Sequence, residues 1–125
     1  MTVRVMYVDD EADIREVAAL SLGLDPEIEV RTCASGPDLL EAAPSWRPDI
    51  ILLDVMMPGM DGPTALAGLR RNPDLIAIPV VFITARTQAR EVERFVALGA
   101  AGVITKPFDP MTLASTAKQY LKPAE

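Results

Sequence analysis

Short apolar runs alternate with longer stretches of helical periodicity five times along the chain. Val3 to Val8 is rich in β-branched residues and stops at Asp9-Asp10, the pattern of a strand that ends at a polar cluster. Ile14, Val17, Ala18 and Leu22 then fall at helical spacing, with Gly23 as the expected stop. Ile28 to Thr32 alternates apolar and polar residues, as an edge or half-buried strand does. Asp38 to Ala43 reads as a short helix ended by Pro44, because proline has no N–H to continue the ladder. Ile50 to Leu53 is apolar throughout and brief, which predicts a central strand covered on both faces.

The second half repeats the alternation. Pro63 suits the first turn of a helix that carries Leu66 and Leu69. Val80 to Ile83 is another continuous apolar strand, and Val92, Phe95, Val96 and Gly99 mark one face of a helix expected over 87–98. Ala101 to Ile104 gives a fifth strand, and Leu113, Ala114, Ala117 and Leu121 line a last helix after a loop punctuated by Pro107 and Pro110. Five strand–helix units predict an α/β domain over residues 1–125, a doubly wound parallel sheet with right-handed crossovers and helices on both faces. In such a sheet ligands bind at the carboxyl ends of the strands, where the strand order reverses.

Composition narrows what could bind there. The chain of 125 residues carries a net charge of −6, which argues against nucleic acid or an anionic membrane as a direct partner. It contains no histidine, so imidazole-based triads, zinc sites and proton shuttles are excluded. Cys33 is the single cysteine, which precludes an intrachain disulfide and suits a reducing compartment; packing is its expected role. No apolar run approaches the roughly 20 residues that span a bilayer, and the apolar strand pattern starting at Val3 leads to the expectation of no signal peptide. These features predict a small cytoplasmic domain with no membrane insertion.

The strand ends carry the chemistry. Asp9 and Asp10 follow the first strand, Asp54 the third, Thr84 the fourth and Lys106 the fifth. Each alone has an ordinary explanation: a helix cap for the aspartate pair or Thr84, a turn for Asp54, a solvated surface for Lys106. Together they place three carboxylates, a hydroxyl and an ammonium on one rim. Two carboxylates 4 Å apart repel by about 4 kcal/mol at an effective dielectric near 20. Three stay ionised in one cleft only with a cation among them, and an all-oxygen donor set selects Mg²⁺ or a similar hard ion. Phosphate oxygens commonly fill the open positions of such an ion, and Lys106 and Thr84 are suited to grip the rest. A carboxylate so placed is also a nucleophile toward phosphorus, which points to phosphoryl transfer onto an aspartate.

At these residues the chain resembles the receiver domain of two-component response regulators. The resemblance is carried by Val8-Asp9-Asp10-Glu11, by Ile50 to Leu53 followed by Asp54, and by Met57-Pro58-Gly59-Met60-Asp61-Gly62. Ile83-Thr84-Ala85 and Thr105-Lys106-Pro107-Phe108 complete it, in order and over essentially the whole chain. It implies a flavodoxin-like (βα)5 fold of strand order 2-1-3-4-5. It further implies that Asp54 is the phospho-acceptor and that Asp10, Asp54 and the backbone carbonyl of Met56 ligate Mg²⁺, with Asp9 assisting through water. Thr84 and Lys106 would contact the phosphoryl group, Ala85 would leave room for it, and Lys106-Pro107 would be a cis peptide. The donor would be a histidine kinase or histidine phosphotransfer protein acting in trans. Output would reach a downstream protein target through the surface near the fourth and fifth helices, from a monomer or a phosphorylation-dependent dimer. Such a domain is a self-modifying switch that catalyses its own aspartyl phosphorylation and dephosphorylation, not a turnover enzyme.

One position departs from the family pattern. Val103 stands where receivers usually carry the Tyr or Phe that swings inward as the threonine moves. The expectation is therefore that phosphorylation is retained without that aromatic switch, and that output runs through the loop after the fourth strand and the helix over 87–98. Met56 and Arg86, two residues beyond Asp54 and Thr84, stand where family members tune the hydrolytic water. Three other classes fit less well. A phosphorylation-independent module has only Val103 in its favour, and an aspartyl-phosphate hydrolase needs a second aspartate where Met56 stands. An FMN carrier would set its phosphate against Asp9-Asp10-Glu11-Ala12-Asp13, which repels it. Met1 directly before the first strand and the few residues after the last helix lead to the expectation of a stand-alone regulator or phosphorelay intermediate; the alternative is a receiver excised from a longer regulator or hybrid kinase.

Overall fold

The computed structural model describes residues 2–121; Met1 and the last few residues, on which the stand-alone expectation rests, lie outside the described residues. Five strands, β1 (Val3–Val8), β2 (Ile28–Cys33), β3 (Ile50–Asp54), β4 (Val80–Thr84) and β5 (Gly102–Thr105), form one parallel sheet of order β2-β1-β3-β4-β5. Between and after them run α1 (Ala12–Gly23), α2 (Gly36–Trp46), α3 (Gly62–Leu69), α4 (Ala89–Ala97) and α5 (Leu113–Gln119). This is the doubly wound, flavodoxin-like architecture expected from the sequence, and its order reverses between β1 and β3.

Side-chain alternation along each strand divides the core in two. Met6, Val8, Ile51, Leu53, Val80 and Phe82 face α2, α3 and α4, whose Leu39, Ala43, Leu66, Leu69 and Phe95 close over them. Val5, Tyr7, Ile50, Leu52, Val81 and Ile83 face α1 and α5, which contribute Ala18, Leu22, Leu113 and Ala117. Each large aliphatic buried this way contributes about 1.5–3 kcal/mol, which fixes the register and so places the strand ends on one rim.

Three expectations shift. Asp54 and Thr84 are the last residues of β3 and β4, so their backbones are held by the sheet. Pro44 does not end α2: the helix runs on to Trp46, with Pro44 exposed inside it. The lost ladder bond is offset by the last turn, where Trp46 packs against the core and under the guanidinium of Arg4 at 5.5 Å, and Arg4 Nη1 donates to the Trp46 carbonyl at 2.7 Å. The α2 chain then turns through Arg47, whose φ of 56° lies in the left-handed region. In α4 the expected apolar face reduces to Phe95, its one buried residue among those described; Val96 is 50% exposed and Gly99 lies past the helix end with φ of +108°. A 100° step per residue carries Val96 off the sheet once Phe95 points into it.

Candidate functional site

The rim at the carboxyl ends of β1 and β3 is built outward from Asp9. Asp9 leaves β1 on the same face as Tyr7, its N–H bonded to the Cys33 carbonyl at 3.1 Å, and it has no solvent exposure. Its Oδ1 accepts the Glu11 N–H at 2.9 Å, closing the turn into α1, and its carbonyl accepts Arg15 Nη1 at 2.8 Å. Its Oδ2 accepts the Tyr7 hydroxyl and the Lys106 ammonium, each at 3.2 Å. Asp9 is thus held by the strand, the turn and two side chains, and the helix-cap alternative falls away: α1 has Glu11 at its N-cap, with no side-chain cap bond.

Asp54 sits beside it, 3% exposed at the end of β3. Its surroundings are kept tight by Gly62, the first residue of α3, whose N–H donates to the Val55 carbonyl at 2.9 Å. A Cβ on Gly62 would stand 2.7 Å from the Asp54 carbonyl oxygen and 2.9 Å from Val55 Cα, so only glycine lets the helix start this close. Asp61 caps that helix by accepting the Thr64 N–H at 2.9 Å, with Pro63 in the first turn. Asp10 is exposed, and one carboxylate oxygen each of Asp9, Asp10 and Asp54 lie within 4.8 Å of one another.

Among the described residues a single ammonium serves this cluster. Lys106 Nζ lies 3.2 Å from Asp9 Oδ2, 3.4 Å from Asp54 Oδ2 and 3.6 Å from Glu11 Oε1. Burial alone would lower the Lys106 pKa, but the charge of Asp54 and the hydrogen bond and charge of Asp9 outweigh it, and the net shift is upward. Asp54 is pushed up to about 6, first by burial and then by the Asp9 charge, against the opposing pull of Lys106 and of the Met56 N–H. Burial first, and then Asp9, raise the Tyr7 hydroxyl well above its ordinary range. One lysine thus leaves the carboxylates under-compensated. The donor set contains oxygen only, and exposed Asp10 opens it to water, which fits a hard divalent cation that retains part of its hydration.

The remaining sequence candidates divide. Thr84 is 3% exposed, and its hydroxyl accepts the Arg86 N–H at 3.0 Å; among the described residues it makes no hydrogen bond to the carboxylates. Ala85 and Arg86 are exposed and line a depression of about 400 Å³ with Thr87, Gln88 and Glu91. The Met56 side chain is 70% exposed in the loop after β3. The Lys106-Pro107 peptide is cis. Val103 is half-buried, paired in register with Phe82, and packs against the cluster that holds Phe82 and Phe95. Cys33 is buried at the end of β2, and burial raises its thiol pKa. Two contributors, Tyr7 and Arg15, escaped the sequence reading, and for Gly62 the motif gave no hint of its close approach to the Asp54 backbone. Tyr7 had a signal, being the one strand residue with a polar tip two positions before Asp9 and so on its face.

Comparison with known proteins agrees with this fold. The family model described as "Response regulator receiver domain" matches residues 5–118. The response regulator PleD of Caulobacter vibrioides is 44% identical over 115 residues, covering 90% of this chain and 25% of that protein. The transcriptional regulatory protein CseB of Streptomyces avermitilis is 37% identical over 118 residues, covering 94% of this chain and 48% of that protein. Among solved structures, the chemotaxis protein CheY4 of Vibrio cholerae superposes with a TM-score of 0.88 at 33% identity, covering 97% of this chain and all of that one. The chain therefore spans a quarter to about half the length of these two curated relatives.

Proposed function

The chain belongs to the response-regulator receiver domain family, and from that premise we propose that it is a phospho-accepting switch in which Asp54 takes a phosphoryl group from a phosphohistidine donor. The observation that carries this reading is the placement of Asp54: a nearly buried carboxylate, 3% exposed, sharing one rim with Asp9, Asp10 and Lys106. An Asp54 carboxylate oxygen attacks phosphorus as the donor's phosphorus–nitrogen bond breaks, and the imidazole departs with that bond's electron pair, neutral because its other ring nitrogen already carries a proton. Lys106, already 3.4 Å from Asp54 Oδ2, offers its N–H donors to the oxygens that gather negative charge. Thr84 supplies a hydroxyl from the next strand end, and exposed Ala85 leaves space beside it. Asp10, Asp54 and the Met56 carbonyl would hold Mg²⁺, with Asp9 assisting; bound there, the ion would neutralise the carboxylates and polarise the phosphoryl oxygens. Attack of water on phosphorus in the same setting returns the free carboxylate, so the switch resets itself.

The donor is a histidine kinase or a histidine phosphotransfer protein, since this chain has no histidine of its own. An apolar groove of about 370 Å³ between Ile14 and Val17 of α1 and Pro107 and Phe108 opens beside Lys106, within reach of such a donor. Residues 1–125 act as one receiver unit in the cytoplasm, signalling to a protein target through the surface around α4 and α5. Among the described residues no helix is long and apolar enough to cross a membrane. The test is intact-mass measurement after incubation with a small-molecule phosphodonor. Wild type should gain one phosphoryl group only with Mg²⁺, and Asp54→Asn none; equal gain by both, or gain without any divalent ion, contradicts the reading.

A further inference from the structure

We propose that Tyr7 is a positioning residue for this phosphoryl transfer: its hydroxyl keeps Asp9 supplied with a donor while Lys106 moves to the phosphoryl group. The proposal rests on the reading of Asp54 as acceptor. Lys106 has three N–H donors, and three carboxylates surround them: Asp9 at 3.2 Å, Asp54 at 3.4 Å and Glu11 at 3.6 Å. As the ammonium shifts toward phosphoryl oxygens on Asp54, it gives up hold on the other two. Glu11 is 61% exposed at its side chain and rehydrates freely. Asp9 has no exposure at all, so a donor it loses is replaced only from the protein or from water held at the metal, and a shortfall is costly for a buried charge.

Its Oδ1 keeps the Glu11 N–H, and its Oδ2 keeps Tyr7. The Tyr7 side chain is held in place from two sides. It is fully buried in β1, and its ring meets Phe108 edge-on at 6.1 Å, two residues after Lys106 on the same loop. Lys106 and Tyr7 donate to the same oxygen from the same distance, so the hydroxyl also weakens the hold of Asp9 on the lysine. Without it, Lys106 becomes the only side chain among the described residues that donates to the Asp9 carboxylate, and is retained there.

The test compares Tyr7→Phe, Asp9→Asn and the double variant, with phosphorylation rates from a small-molecule donor at saturating Mg²⁺ and Mg²⁺ affinities by calorimetry. Tyr7→Phe, which keeps the ring against Phe108, should slow phosphorylation by about fivefold to tenfold while leaving Mg²⁺ affinity nearly unchanged. The double variant should react at the rate of Asp9→Asn alone. It removes hydroxyl and charge together, so it strands no buried carboxylate and serves even where Tyr7→Phe folds poorly. A Tyr7→Phe rate equal to wild type, or an undiminished slowing in the Asp9→Asn background, overturns the role of Tyr7 while the acceptor reading stands. Wild type that takes up no phosphoryl group overturns both.

Discussion

At the scale of single residues, burying Asp54 beside Asp9 costs stability at neutral pH. Asp54 carries a carboxyl whose pKa rises from 3.8 to about 6 on folding, chiefly because it is buried and then because Asp9 lies beside it. The folded state therefore prefers the protonated form. The Asp54 contribution is fully present below about pH 4 and is lost as pH rises through about 6. In metal-free buffer Asp54→Asn should be more stable than wild type by about 1–2 kcal/mol at pH 7, and the gain should shrink toward pH 4. Denaturant unfolding at both pH values checks the sign; a gain that grew with acidity would contradict it. The aspartates, Thr84 and Lys106 were legible in the sequence because polar residues at the ends of apolar strands have few structural reasons to be there. Tyr7 was hidden for the opposite reason: inside a strand it reads as core, and only the fold shows its hydroxyl turned to Asp9. Gly62 was legible as part of a motif, but its close approach to the Asp54 backbone was not.

Among the helices, α4 buries the fewest of its described residues. Phe95 is its buried anchor, meeting Phe82 edge-on with ring centroids 5.0 Å apart, and Phe82 lies two residues before Thr84 on β4. Val103 on β5 pairs with Phe82 in register and brings no ring of its own. The aromatic pair beneath α4 is thus Phe82 of β4 and Phe95 of α4. Phe95→Ala should destabilise the protein by about 3–5 kcal/mol, the range for emptying a buried phenylalanine site, and calorimetric or denaturant unfolding measures it. A loss below about 1 kcal/mol would mean that α4 is held by other contacts. The strands were legible almost to the residue because fully apolar runs have one explanation in a covered parallel sheet. The helices were less so. Pro44 stops a helix by local rules, yet the Trp46–Arg4 contact, 42 residues away in sequence, carries α2 past it. The α4 face was overdrawn because periodicity counts apolar residues without knowing how wide a strip the sheet can cover.

For the molecule as a whole, the crossovers bring groups from β1, β3, β4 and β5 to one rim, though they lie up to 97 residues apart, the separation of Asp9 and Lys106. That convergence is a property of strand order: with β1 and β3 adjacent, Asp9 and Asp54 must share the crevice where the order reverses. The chain covers a quarter of PleD and about half of CseB, so its similarity to them extends to that share of each. Chemical trapping of the acyl phosphate is the sharpest check on Asp54 as the acceptor. After phosphorylation with Mg²⁺ and a small-molecule donor, borohydride reduces an aspartyl phosphate to homoserine, and peptide mass spectrometry locates the altered residue. Homoserine is expected at position 54 alone. Homoserine at Asp9 or Asp10, or phosphate retained on Thr84 with Asp54 unaltered, would contradict that assignment.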